Sequence, residues 1–434
     1  MINTRQSAFE ALLKTEKEGA YSNIALDLLL SKSGYDTRDR AFVSNLFYGV
    51  IERKLTLDYQ LGLYTAKPVN KMKADLLTIL RLGAYQLLFM DKVPSSAAVN
   101  ESVNLAKKNG LSHASGLVNA VLRKIDKNGL VLPSEEKYSE YLSVKYSCPQ
   151  WLINKWVKEY GKVAAEGVLA HSLGACKTYI RVNNTLLSAD KLIEELKAES
   201  IMAEKTGIEN CLEIILNGRG VESLESFKKG YFHVQDAACQ LCAASLKVKP
   251  GDRVFDLCAA PGGKTYTIAE IMNGEGEVLS FDIHPHRVEL ISKGAQRLAL
   301  KSVKAMVGDA CAFNEDLGQA DAVLCDVPCS GFGIIGRKPE IKYKDPDEVK
   351  ALPALQLEIL QNGAKYVKKG GRLVYSTCTL SMSENEKVCK RFLEAVSDFE
   401  AVSPFGDENK EGFATLFPHI NDTDGFFIAC FERK

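Results

Sequence analysis

Arg253-Val-Phe-Asp-Leu-Cys-Ala-Ala-Pro-Gly-Gly-Lys-Thr265, followed by Tyr266-Thr-Ile-Ala-Glu-Ile-Met272, decides the fold of this 434-residue chain. The apolar run reads as a strand, Pro-Gly-Gly as a tight turn and the segment behind it as the start of a helix. In an open α/β sheet such a loop lies at the carboxyl end of the strand, where backbone N–H groups can approach a small polar ligand. A phosphate-cradling loop needs Gly, four residues, then Gly-Lys-Ser/Thr. Gly263-Lys264-Thr265 ends that pattern, but Cys258 stands in place of its first glycine, and no G-x-G-x-x-G follows the strand. Both nucleotide readings lose ground, and a purely structural glycine turn is the default until the motifs further on are considered.

From residue 249 onward strand-like and amphipathic segments alternate. Residues 253–258, 277–283, 303–308, 322–326 and 372–377 read as strands, with an antiparallel-looking 425–431 at the end. That alternation predicts a doubly wound α/β sheet with functional residues at strand ends. The second strand ends at Asp282, about 19 residues past the glycines, where a carboxylate can accept both hydroxyls of a ribose. The third ends in Gly308-Asp309, an acid suited to an adenine amino group. The fourth ends in Asp326-Val-Pro-Cys329-Ser-Gly and the fifth in Ser376-Thr-Cys378-Thr-Leu, so two neighbouring strands each deliver a cysteine.

Two such thiols could be a redox pair, a metal site, a packing coincidence, or nucleophile and helper. A redox pair lacks a C-x-x-C at a helix start, and a metal site lacks the further Cys or His it needs. Cys239-x-x-Cys242 has no second pair at matching spacing and reads as packing. The nucleophile reading fits one chemical problem. Carbon 5 of a cytosine is too weak a nucleophile to take a methyl group from a sulfonium, but a thiolate added at carbon 6 makes it enamine-like. A free thiol with a pKa of about 8.5 is only partly ionised at neutral pH, so the site must lower that value or supply a base. Asp326 could recognise the base edge and stabilise charge in the adduct.

The first 130 residues read as helices at 6–17, 23–30, 38–64, 74–88, 97–108 and 117–125, with Pro68 and Pro94 between them. They carry 18 basic against 12 acidic residues in a chain whose net charge is zero. A polyanion partner or a solvated basic face would both explain that asymmetry. The basic clusters are Arg38, Arg40, Arg53 and Lys54, then Lys107, Lys108, Arg123 and Lys124. Residues 131–230 read as a polar connection, linker helices and a small α+β module. Arg337-Lys-Pro-Glu-Ile-Lys342 reads as a basic loop, able to hold an RNA backbone beside a flipped base or simply solvated. Twelve scattered cysteines, no basic-then-apolar leader at Met1 and no apolar run of membrane length give the expectation of a cytoplasmic chain with reduced thiols.

The run from Arg38 to Lys54, with Val93-Pro-Ser-Ser-Ala-Ala-Val-Asn-Glu101, resembles the helical RNA-binding domain of NusB-type antitermination factors. Val234-Gln-Asp236, the Asp256–Thr265 loop, Asp282, Gly308-Asp309, D-V-P-C-S-G and S-T-C-T-L, in that order, are similar to the RNA (cytosine-5) methyltransferase family. The resemblance spans nearly the whole chain. It implies a class I methyltransferase domain of Rossmann-like α/β fold at 231–434, an α+β module within 131–230 and an all-α NusB-like domain at 1–130.

It also implies S-adenosylmethionine as cofactor and small-subunit (16S) ribosomal RNA as partner, with no metal, no membrane and a monomeric chain. In this family pattern Cys378 is the nucleophile, and Cys329, the nucleophile of the related DNA enzymes, assists product release. Asp326 contacts cofactor and cytosine. Cys258, Ala259, Ala260, Pro261, Gly262, Gly263 and Lys264 form the cofactor loop, and Asp282 and Asp309 hold ribose and adenine. The residues alone do not rank the two cysteines. RNA contacts are expected from Arg38, Arg40, Arg53, Lys54, Arg337 and Lys338. A non-catalytic assembly factor, a transfer-RNA methyltransferase and an RNA-directed NTPase are the competing readings.

Overall fold

The computed structural model describes residues 4–18, 26, 29–30, 34–174, 176–406 and 412–434. The helix expected at 23–30 falls largely outside them. The chain divides into two compact units: residues 1–173 with 337–343, and residues 174–336 with 344–434.

The first unit is all helix apart from turns. Asp36 caps Thr37–Glu52 by accepting the N–H of Asp39 at 2.8 Å. The single helix expected over 38–64 is instead broken at Arg53 (φ −99°, ψ 13°), so that Lys54–Gly62 leaves at a new angle. Ala74–Phe89 runs through the middle, buried from Leu77 to Gln86. Close approach is why Gly83 has no side chain: a Cβ there would lie 2.5 Å from Leu122 Cδ1. Arg81, buried in that helix, is held by both carboxylate oxygens of Asp58 at 2.7 and 2.8 Å and by Glu16.

Residues expected to be a polar connection contain the helix Tyr138–Tyr146. Buried polar side chains fasten this stretch to the helix 54–62. Thr56 Oγ1 donates to Val144 O at 2.5 Å, and Gln60 exchanges two hydrogen bonds with the backbone of Val131. Helices Gln150–Tyr160 and Lys162–His171 complete the unit.

The second unit holds two sheets. In the smaller, strands β1 (Thr178–Val182), β2 (Met202–Lys205), β3 (Cys211–Ile215) and β4 (Phe232–Val234) pair antiparallel in the order β2-β3-β1-β4. Ser188 caps the helix Ala189–Ala198, whose Leu192 and Leu196 pack on Ile180, Val182, Leu212 and Phe232. The larger sheet contains β5 (Arg253–Asp256), β6 (Glu277–Asp282), β7 (Val303–Val307), β8 (Ala320–Asp326) and β9 (Val367–Thr377), all parallel. β10 (Phe399–Ala401), β11 (Phe413–Leu416) and β12 (Phe426–Arg433) are antiparallel additions. The strand order is β10-β12-β9-β8-β5-β6-β7, so the winding reverses between β5 and β8. In such a sheet ligands bind at the carboxyl ends beside that reversal. This is the doubly wound fold expected from the alternating pattern, with the last strand antiparallel to β9, Phe427 opposite Thr377.

Candidate active site

β5 delivers the glycine loop. Gly262 has φ +108°, and a Cβ on it would meet the Tyr266 hydroxyl at 2.3 Å, so only glycine fits there. Tyr266 Oη donates back to Pro261 O at 3.0 Å and fixes the turn from behind. Asp256, fully buried beneath the loop, accepts from Thr265 Oγ1 at 2.7 Å, and burial pushes its carboxyl up to about 7. Ala259 N–H reaches Phe281 O on β6 at 2.8 Å and draws the loop over the sheet end.

A cavity of about 470 Å³ opens at these strand ends, with Cys258, Ala260, Asp282, Asp309, Asp326, Cys329 and Cys378 in its wall. Ala259, Pro261, Gly262 and Gly263 form the turn behind that wall. The Asp282 carboxylate accepts the N–H of His284 at 2.9 Å and lies 3.8 Å from Arg287; that of Asp309 accepts the N–H of Cys311 at 2.9 Å. Each acid therefore caps its own loop while bordering the cavity, which is the size of a small-molecule site.

Lys264 points across the loop to Asp326, Nζ to Oδ2 2.7 Å, while Ser376 Oγ donates to Asp326 Oδ1 at 2.7 Å. Burial works against the ammonium, yet the Asp326 carboxylate beside it holds Lys264 well above the usual lysine range. The pair sits over the Phe426 ring, 5.1 Å from Nζ to the centroid.

The two cysteines meet. Cys329 Sγ lies 3.4 Å from Cys378 Sγ. Their hydrogen bond favours a thiolate on Cys378 and, with Lys264 nearby, outweighs burial to hold its thiol below the ordinary value. The same hydrogen bond, then burial and the Glu384 and Asp326 carboxylates, push Cys329 far up. One proton shared by two sulfurs behaves as a pair, the first loss easy and the second hard.

Behind the sulfurs is a polar cluster that the sequence reading missed. Glu384, 2% exposed, accepts from Ser330 N at 2.8 Å, Ser330 Oγ at 2.6 Å and Gln356 Nε2 at 3.1 Å. Asn385 bonds Thr377 and Thr379 on the other cysteine's strand end. Ser383-Glu384-Asn385 directly before the helix Glu386–Ala395 reads in sequence as an ordinary cap, but Asn385 makes no side-chain cap bond.

The basic residues divide. Arg38 and Arg40 are exposed on the first turn of their helix, and Lys107, Lys108, Arg123 and Lys124 are exposed on theirs. Arg53 is instead stacked on Phe89 (4.7 Å) and lies 3.5 Å from Glu52, while Lys54 lies 3.4 Å from Glu16. Arg337 and Lys338 are exposed, but the rest of the expected basic loop is a short 3-10 helix, Pro339–Tyr343, that belongs to the helical unit. Lys342 is buried there with Nζ on Glu52 O at 2.7 Å, and Tyr343 donates to Ile51 O at 2.8 Å. The expectation of a basic loop running through to Lys342, able to hold RNA or simply solvated, is corrected: from Pro339 to Tyr343 the segment is a 3-10 helix with Pro339 and Lys342 buried.

Cys242 lies in an apolar cluster with Cys239 against it, and no group of metal ligands occurs among the described residues. No described helix is long and apolar enough to cross a membrane.

Three family models cover most of the chain. The NusB family matches residues 2–127, a ferredoxin-like domain of RsmF/B-like methyltransferases matches 148–217, and the 16S rRNA methyltransferase RsmB/F family matches 243–432. A probable ribosomal RNA small subunit methyltransferase B of Bacillus subtilis is 37% identical, covering 100% of this chain and 99% of its own length. Ribosomal RNA small subunit methyltransferase B of Escherichia coli O1:K1 is 31% identical over 100% and 99%. Among solved structures, PH0851 superposes with a TM-score of 0.82 at 27% identity, covering 99% of each chain. A match of this identity along the whole length, on top of the strand-end constellation, means that the chain belongs to the RsmB/F family of 16S rRNA methyltransferases.

Proposed function

We propose that the protein transfers a methyl group from S-adenosylmethionine to carbon 5 of a cytosine in 16S ribosomal RNA, through a covalent bond between Cys378 and carbon 6. The observation that carries the reading is the 3.4 Å cysteine pair at the rim of a cavity whose wall also holds Asp282, Asp309 and Asp326. Two carboxylates at successive strand ends beside a glycine loop fit an adenosine, with Asp282 toward the ribose and Asp309 toward the adenine amine. When bound, the cofactor supplies an electrophilic methyl group.

The chain's own residues do the rest. Cys378, as thiolate, adds to carbon 6 and makes carbon 5 nucleophilic. Asp326, oriented by Lys264 and Ser376, accepts from the exocyclic amine of the base. After transfer a solvent base takes the carbon 5 proton, its electron pair re-forms the carbon 5–carbon 6 double bond and the Cys378 thiolate is expelled, with Cys329 assisting that release. Arg38, Arg40, Arg337 and Lys338 are the exposed cations for the RNA backbone. Functional segments at 1–130, 131–230 and 231–434, a monomer and a cytoplasmic location go with this reading.

The experiment is transfer of labelled methyl from S-adenosylmethionine to small-subunit rRNA taken from cells lacking the gene, followed by nucleoside digestion. Label in 5-methylcytidine is expected. Label in another nucleoside, or in transfer RNA alone, would contradict the proposal.

A further inference from the structure

Apart from the contact between their two sulfurs, the cysteines are placed by the residues on either side of them. On the Cys329 loop, Pro328 O accepts from Gln356 Nε2 at 2.9 Å, and Ser330 presents both its N–H and its hydroxyl to Glu384. On the Cys378 loop, Thr379 Oγ1 lies 2.6 Å from Ser330 Oγ and accepts from Phe332 N at 3.2 Å. Ser330, Thr379, Gln356 and Glu384 are each no more than 2% exposed, so water cannot replace any of these partners.

Proton accounting fixes the polarity of the cluster. The one hydroxyl proton of Ser330 goes to Glu384 Oε1, so Thr379 must supply the proton of the Ser330–Thr379 contact. Thr379 Oγ1 then has a lone pair left for Phe332 N. Every donor runs toward the carboxylate, which also accepts from Gln356 Nε2. A carboxylate accepts all of these bonds; an amide in its place would donate to Ser330 Oγ and turn the Ser330 hydroxyl toward Thr379, reversing the direction of the chain. Among the described residues Glu384 makes no ion pair, so its place in the fold rests on these hydrogen bonds.

We propose that Glu384 is a positioning residue that, through Ser330 and Gln356, fixes the Cys329 loop against the Cys378 loop and so sets the distance between the two sulfurs. The proposal rests on the reading in which Cys378 attacks and Cys329 assists release. Its consequence is selective. Cys378 directly follows Thr377, the last residue of β9 and paired with Phe427 of β12, whereas Cys329 lies three residues beyond the end of β8 at Asp326. Loosening the cage therefore displaces Cys329 more than Cys378. It also removes a negative charge that helps keep the Cys329 thiol protonated.

The test compares full-length Glu384→Gln with wild type and Cys329→Ala. With 16S rRNA and labelled S-adenosylmethionine, Glu384→Gln is expected to lose about 100-fold in turnover, since a misplacement of about 1 Å costs that much. It should accumulate the covalent RNA adduct as Cys329→Ala does, with methyl-donor affinity unchanged. With no RNA present, mapped iodoacetamide alkylation of wild type is expected to favour Cys378 over Cys329, and Glu384→Gln should lose much of that preference. Wild-type turnover in Glu384→Gln overturns the proposal. So does parallel loss of adduct, methyl-donor binding and melting temperature, the outcome of a merely structural role. Should Glu384→Gln not fold, Ser330→Ala keeps the carboxylate and removes one link: the same split at about 10-fold is expected, and no split overturns the proposal. If neither wild type nor Cys329→Ala forms adduct while alkylation selectivity still depends on Glu384, the cysteine chemistry fails and the positioning role stands.

Discussion

At the end of β8, Cys329 stands on a loop between Pro328 and Ser330, its neighbours tied down by Glu384 and Gln356 and its thiol pushed up by the Cys378 hydrogen bond, burial and nearby carboxylates. At the end of β9, Cys378 stands on the first residue after an eleven-residue strand, and the same hydrogen bond lowers its thiol, with Lys264 reinforcing it. The two sulfurs are 3.4 Å apart, share one cavity wall and share one proton between them. Burial alone would have raised both. What distinguishes the two sulfurs is the charge on each side of the shared proton, Lys264 toward Cys378 and Glu384 toward Cys329.

The sharpest way to break that comparison is to remove each sulfur in turn. Cys378→Ala should abolish methyl transfer, a loss of at least about 10⁴-fold, and should leave no covalent RNA species on a denaturing gel. Cys329→Ala should lower turnover by about 10²-fold while adduct accumulates. The opposite pattern would exchange the two roles.

Removing the cation comes next. Lys264→Met leaves Asp326 without its ion pair and Cys378 without its nearby positive charge. A loss of about 10–100-fold in kcat is expected, with a stability cost of about 2 kcal/mol by denaturant titration, less than a fully buried pair because Asp326 is partly exposed.

A gentler probe sharpens the comparison by pH. Mapped alkylation of Cys378 should have its midpoint below that of an ordinary thiol, and Cys329→Ser, which weakens the shared hydrogen bond, should raise it. Another probe lies under the loop. The Asp256 carboxyl is raised from 3.8 to about 7 in the fold, so the folded chain binds a proton that the unfolded chain has released. Stability from this group is therefore full below about pH 4 and falls by up to about 4 kcal/mol as the pH rises through 7. The difference in stability between wild type and Asp256→Asn, measured at several pH values, should follow that fall.

The parts legible in the sequence were those that one continuous stretch encodes. The glycine loop, the strand alternation, the acids at the ends of β6 and β7 and the two cysteine motifs each announce themselves within about ten residues, and the sheet brings their ends to one cavity. The polar cage was not legible because Ser330, Gln356 and Glu384 come from three segments and each alone passes for a loop or cap residue. Lys342 shows the converse. In sequence it belongs to a basic loop read as holding RNA or solvated, but Tyr343 beside it is tied into the helical unit, where burial lowers the Lys342 ammonium to about 8. Composition gives a charge; only packing says whether that charge meets water. The break at Arg53 was hidden for a similar reason, since the apolar periodicity of 38–64 continues across it.

The proposed mechanism stands on Cys378 being the sulfur that bonds to the base. Small-subunit RNA containing 5-fluorocytidine, which has no carbon 5 proton to lose, should trap the adduct after methyl transfer. Digestion and mass spectrometry of the trapped species should place the nucleotide on the peptide containing Cys378. A nucleotide found on the peptide containing Cys329, or methyl transfer with no trapped species, would contradict the account.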